Sequence, residues 1–354
     1  MARLRKKLPE NFNELLEQGD IEVLKAVYDK CELNAYGGYS KDTALHFENV
    51  PEELVRFLVL EKGLDINCMN QFYMTPLHSQ AGNGGACLKL LIELGADINK
   101  ADNLTRETPL HIAANRRRPD SVKILLENGA DMYAKNWNDE NPLESALHQC
   151  MNIDIVQTVT VAEVFLEAGI QVTDKMKEYV KKIGESFEFY RDNFNSEYMD
   201  ETEKGLGQLY TMFSVPPVPP RKRHDGTSTI PEMEGPWYKQ HDELWNLLVP
   251  GKGHAATVQG EVIRISGKVA YEVMDNGGIN WDSDYRKMLK YLVETFATGQ
   301  ALGEEELAEA NQIEKLISKS GEADREPERL MELAVKWVSQ NREPNLIGKV
   351  EYRR

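Results

Sequence analysis

Thr75-Pro76-Leu77-His78 recurs 33 residues on as Thr108-Pro109-Leu110-His111, and Thr43-Ala44-Leu45-His46 precedes it by 32. Asn141-Pro142-Leu143-Glu144 follows after a further 33. Behind the first three comes an apolar run of helical spacing and then a glycine turn: Gly63-Leu64-Asp65-Ile66-Asn67, Gly95-Ala96-Asp97-Ile98-Asn99 and Gly129-Ala130-Asp131-Met132. Such a period means a solenoid, because one short unit cannot bury two helical faces alone and needs neighbours stacked on it.

The residue types suit their places. Threonine can cap a helix start, proline sits where a missing N–H is harmless, and leucine begins the apolar face. About ten residues on, Leu54, Leu58, Leu90, Leu91, Ile124 and Leu125 supply a second apolar face, and the glycine that follows can end the helix in the left-handed conformation. The expected class is all-α, a repeat solenoid followed by a separate helical domain.

Motif, period and downstream glycine together resemble the ankyrin-repeat family over about residues 10–172. The resemblance implies units of helix, turn, helix and a projecting β-turn finger. Segment 10–35 (Phe12, Leu15, Leu16, Ile21, Leu24, Val27) resembles a capping half-repeat. Gly169 follows Gly129 by 40 residues, so the fourth unit holds about seven extra residues between Ala146 and Val161, which predicts a longer inner helix or turn. His46, His78 and His111 recur at the repeat period, about 10 Å apart along a stack and beyond the reach of one ion. No metal site is expected, and the resemblance implies that these histidines tie repeats together.

It also implies binding through the finger tips and the inner-helix face. The tips expose Tyr39, Phe72, Tyr73, Arg106, Tyr133 and Trp137, with Leu104 beside them, and aromatic and arginine side chains dominate interfaces once a partner buries them. They can equally pack between neighbouring fingers or against the C-terminal half. The glycine usual two residues before the threonine is replaced by Lys41, Tyr73, Arg106 and Asp139, so non-standard finger turns are expected.

At 354 residues with 41% apolar content the chain can form more than one core. Its net charge is −16, of which −9 falls in residues 1–170. An acidic field repels a phosphate backbone, so no nucleic-acid partner is expected. Arg116-Arg117-Arg118 and Arg221-Lys222-Arg223 are local exceptions that read as solvated loops or as contacts for an acidic patch. No apolar run approaches a bilayer span, and the basic N-terminus (Met1, Arg3, Arg5, Lys6, Lys7) leads into Pro9 and Glu10 without an apolar signal core, so no membrane contact is expected. Cys31, Cys68, Cys87 and Cys150 lie far apart, which fits reduced thiols and a cytoplasmic setting.

Five segments are expected: 1–172 for the repeats with their N-terminal cap, 173–215 as a helical connector, 216–236 as a Pro-rich linker, 237–300 as a helical domain and 301–354 as C-terminal helices. Pro216-Pro217-Val218-Pro219-Pro220-Arg221 reads as an extended spacer that matches ligands of SH3 domains. A long helix is predicted from Ala255 to Met274, with Gly260 and Gly267 on one face admitting another helix, and Asp282 or Ser283 should cap the helix after Asn280-Trp281. The segments Gln259-Gly260-Glu261-Val262-Ile263-Arg264 and Asn280-Trp281-Asp282 resemble the uncharacterised tail of some bacterial ankyrin-repeat proteins, which implies a lineage and no chemistry.

Glu261 and Arg264, at i and i+3, predict a helix-surface ion pair. If 237–300 is catalytic, His241, His254, Glu261 and Arg264 are the residues that could carry acid–base chemistry. No phosphate-cradling loop, His-Glu-x-x-His or Gly-x-Ser-x-Gly pattern accompanies them, and no cofactor is implied. The favoured reading is a protein-binding adaptor or inhibitor acting through the repeats, with a bacterial immunity or defence role as one form of it. The alternative is an enzyme in 237–300 whose repeats select the substrate. The sequence leaves the oligomeric state open.

Overall fold

In the computed structural model residues 3–354 are described, so Met1 of the basic N-terminus lies outside them. The chain forms two compact units. The first runs to Glu185 and takes in Ser196–Pro217; the second comprises Ser186–Asn195 and Val218–Arg354.

The first unit opens with β1 (Arg5–Lys7), α1 (Phe12–Gln18) and α2 (Ile21–Ala26), then β2 (Cys31–Gly37) and β3 (Asp42–Thr43). β2 pairs with β1 in parallel and with β3 antiparallel. The half-repeat helices are there, but this small sheet was not expected. A strand of three exposed residues carries no apolar alternation, so nothing in Arg5–Lys7 marks it.

The first repeat places a short 3₁₀ turn at Ala44–His46 before α3 (Glu52–Arg56), which runs on as a π-helical turn to Glu61. Regular helix pairs follow: α4 (Pro76–Asn83) with α5 (Leu88–Glu93), α6 (Pro109–Asn115) with α7 (Pro119–Glu127), and α8 (Pro142–His148) with α9 (Ile155–Glu167). Leu45, Leu77, Leu110 and Leu143 are fully buried, as are Leu54, Leu58, Leu91 and Leu125. Gly95 and Gly129 close their helices at φ +94° and +87°, where a Cβ would be strained. The extra residues of the fourth repeat do not lengthen its inner helix, since α8 matches α6 at seven residues. They lie in the turn at 149–154 and in α9, which is four residues longer than α7.

The histidines join one unit to the next. In His78, Nδ1 accepts from the amide (3.1 Å) and hydroxyl (2.8 Å) of Thr75, closing a capping box. That fixes the proton on Nε2, which donates to the carbonyl of Glu107 in the following repeat at 3.1 Å. His46 reaches Met74 and His111 reaches Glu140 in the same way, each at 3.1 Å. The fourth repeat has no successor and carries Glu144 instead. Glu144 closes the cap with Asn141 and accepts from Thr173 Oγ1 (2.8 Å), just ahead of the next helix. That helix, α10 (Asp174–Tyr190), and α11 (Met199–Met212) end the stack, with Gly205 of α11 set close against Ile155 and Val156 of α9.

The second unit contains α12 (Trp237–Leu248), α13 (Val258–Ala270, continuing as a π-helical turn to Asp275), α14 (Ser283–Thr295), α15 (Glu304–Ser320) and α16 (Glu326–Gln340). Asp282 caps α14. A Cβ at Gly260 would stand 3.1 Å from the Leu248 carbonyl and one at Gly267 2.5 Å from the Trp245 ring, so both glycines admit α12.

Two expected boundaries disappear here. Residues of 301–354 (Ile317, Leu333, Trp337, Tyr352) share one core with Val262, Ile265, Leu289 and Phe296 of 237–300. The 216–236 segment, though largely exposed, is pinned at Ile230 and Arg221. Ile230 is fully buried, its amide donating to Arg342 O (2.9 Å) while Arg342 Nε returns to its carbonyl (2.7 Å). Arg221, the last residue of the SH3-ligand match, stacks on Phe189 at 3.9 Å and donates to the carbonyls of Asn246 and Trp245, so it already has its partners.

Candidate functional site

The second, third and fourth finger turns are each built on one buried amide or carboxylate. Asn70 Oδ1 accepts from the amides of Phe72 (2.9 Å) and Met74 (3.1 Å), and Asn136 Oδ1 from those of Asn138 (2.9 Å) and Glu140 (3.0 Å). Asp102 holds a turn one residue longer, accepting from the amides of Leu104, Thr105 and Glu107 and from the Thr105 hydroxyl. Burial would raise the Asp102 carboxyl, but these bonds outweigh it and hold it below the ordinary range. Neighbouring Glu107 is pushed up by its own burial and then by the Asp102 charge. Sequence reasoning overlooked these three anchors. The signal was present, since Asn or Asp three or four residues before the tip is an Asx-turn signature.

The anchors let the tips stand clear. Tyr39 is 84% exposed and Trp137 69%, and Phe72, Tyr73, Arg106 and Tyr133 are exposed as well. Tyr39 and Phe72 touch, with ring centroids 6.0 Å apart. Among the described residues, no ring contact is found for Tyr73, Tyr133 or Trp137. The four residues in the usual glycine position do adopt its left-handed conformation, at φ +54° to +60°. At that position the four turns thus take the conformation glycine usually supplies, but each carries a Cβ at a cost of about 1–2 kcal/mol.

Of the residues proposed for catalysis, three meet and one does not. Glu261 and Arg264 are buried in full, contrary to the surface pair expected. The spacing was right, but packing in the second unit covers that helix face. Glu261 Oε2 accepts from Ala255 N (2.9 Å) and Arg264 Nε (2.8 Å), and Oε1 from Arg264 Nη2 (2.5 Å) and Tyr352 Oη (2.8 Å), with His254 Nδ1 at 3.1 Å. Burial works to raise the Glu261 carboxyl, but the arginine and the other donors hold it below the ordinary range. A carboxylate so fully engaged braces the chain between 255 and 352 and is poorly placed to move protons. His241 stands apart on Ser266 Oγ (3.0 Å), pushed down to about 4 by burial. Tyr352 and the fully buried Glu272, which gathers Asn276 and Asn280, were not anticipated because their partners are distant in sequence or lie past a glycine turn.

Among the described residues no three His, Cys, Asp or Glu side chains are grouped to hold a metal ion, the four cysteines are free, and no helix is long and apolar enough to cross a membrane.

Helix pairs locked by a threonine-capped histidine, with a turn projecting from each, define a helical-repeat protein with a row of exposed tips. The family model of ankyrin repeats, in three copies, matches residues 43–136. That segment carries ankyrin repeats, and such repeats imply protein–protein interaction. Similar curated proteins include mouse protein phosphatase 1 regulatory subunit 27, 36% identical over 92 residues (26% of this chain and 58% of that protein). Mouse ankyrin repeat and SOCS box protein 6 is 29% identical over 140 residues (36% and 31%). The rice BTB/POZ domain and ankyrin repeat-containing protein NH5.2 is 33% identical over 93 (26% and 18%). The chain thus spans 18% to 58% of the length of these relatives.

Proposed function

We propose that this chain is a cytoplasmic adaptor or inhibitor that holds a protein partner on the finger tips of its repeats. The observation that carries the reading is the exposure of Tyr39, Phe72, Tyr73, Arg106, Tyr133 and Trp137, all but Tyr39 on fingers whose turns are fixed by buried anchors. Rigid, exposed aromatic and arginine side chains lose little freedom when a partner covers them. The free cysteines support the cytoplasmic setting. That one relative is named a regulatory subunit supports the inhibitor form. Masking of a toxin or modulation of a defence system in a bacterial cell is a narrower form, supported by the likeness of the 259–264 and 280–282 segments to the tails of bacterial ankyrin-repeat proteins.

The test is affinity capture with the intact chain beside a variant carrying Phe72→Ala, Tyr73→Ala, Arg106→Ala and Trp137→Ala, read by mass spectrometry. A partner lost only from the variant supports the tips as the site. A partner retained equally by both moves the site elsewhere.

A further inference from the structure

Lys41 (φ +55°), Tyr73 (+60°), Arg106 (+57°) and Asp139 (+54°) occupy the left-handed region at matching positions of four fingers. Glycine would adopt this conformation freely, whereas a residue with a Cβ is strained there. Arg117 shows how the fold compensates such strain internally. At φ +53° its guanidinium bonds the carbonyls of Asn115 and Gln149 and pairs with Asp154 at 3.4 Å. Lys41, Tyr73 and Arg106 have no comparable return. Among the described residues, none of these three side chains makes a hydrogen bond, an ion pair or a ring contact. Strain that the fold does not use points to a use outside it.

Two of the three are cations, in a chain with 58 acidic residues against 42 basic ones. The first finger is linked to the second by Gln71 N to Ser40 O and the third to the fourth by Trp137 N to Thr105 O, both 2.9 Å, and the repeats that carry them stack in order along the solenoid. We propose that the partner segment lying on this row is extended and acidic. Lys41 and Arg106 each receive a carboxylate, and Tyr73 covers an apolar residue between them. This rests on the finger-tip reading above. Lys41 and Arg106 are two repeats apart, about 20 Å at ordinary helix-packing distances, a span that an extended chain covers in about six residues. The fitting sequence therefore carries two Asp or Glu residues about six positions apart.

The test pans random dodecapeptides displayed on phage against the whole chain. Enriched peptides are then measured by fluorescence anisotropy on the whole chain, on a Lys41→Gly/Arg106→Gly variant and on a Phe72→Ala/Trp137→Ala variant. The expected peptides carry the spaced acidic pair and bind the glycine variant at least about tenfold more weakly, with an affinity that falls as salt is raised. The glycine variant should at the same time melt about 2–4 °C higher, because its strain is gone. A structural role for the two cations would lower the melting temperature, and that result overturns the proposal. Peptides without acidic pairs that still depend on Phe72 and Trp137 overturn the acidic segment and leave the finger-tip reading standing. Peptides indifferent to both variants overturn both, and a library that yields no binder overturns the extended segment.

Discussion

Acid should loosen the repeat stack through its histidines, and His78 sets the scale. Its imidazole is fully buried, and burial pushes it down to about 4 from 6.5 in a solvated ring, against the smaller opposing pull of the Glu107 carbonyl. At about 1.4 kcal/mol per pH unit, that difference links about 3 kcal/mol of stability to the neutral ring. The unfolded chain binds the proton more tightly than the native one. The contribution is therefore intact above pH 6.5 and is lost as pH falls through about 4. Burial lowers His46 and His111 in the same direction. Urea unfolding of the intact chain at several pH values between 7.5 and 4, beside His78→Gln, separates this from carboxylate titration. The variant should lose about 2 kcal/mol at neutral pH, where the cap and the bond to the next repeat are broken, and then decline less steeply with acid. Parallel declines would refute the assignment of a neutral, bridging imidazole.

Glu261→Ala should destabilise the second unit by about 3–5 kcal/mol, since it strands the buried Arg264 guanidinium; a Glu261→Leu/Arg264→Leu double variant should recover much of that loss, as chemical denaturation would report. Ile230→Ala should cost about 2–4 kcal/mol in the same assay, whereas a free linker would be indifferent to it.

Repeats were legible because their information is local. Thr75, Pro76, Leu77 and His78 each answer to a neighbour within one turn or one period, and Gly95 and Gly129 answer to their own helices. The Asn70, Asp102 and Asn136 anchors are local too, but went unnoticed. Where the partner is remote, the reading failed. Nothing near Glu261 announces Tyr352, 91 residues away, and i, i+3 spacing looks the same on a covered helix face as on an open one. Proline-rich composition hid the anchoring of Ile230 and Arg221, because a segment without regular structure can still be pinned by a few side chains.

The most direct measurement of the central claim is hydrogen–deuterium exchange of the intact chain, alone and bound to the captured protein. The account predicts slowed exchange concentrated at 39–41, 70–74, 102–107 and 133–139. Protection confined to 218–354, with the fingers exchanging as they do in the free chain, would contradict it.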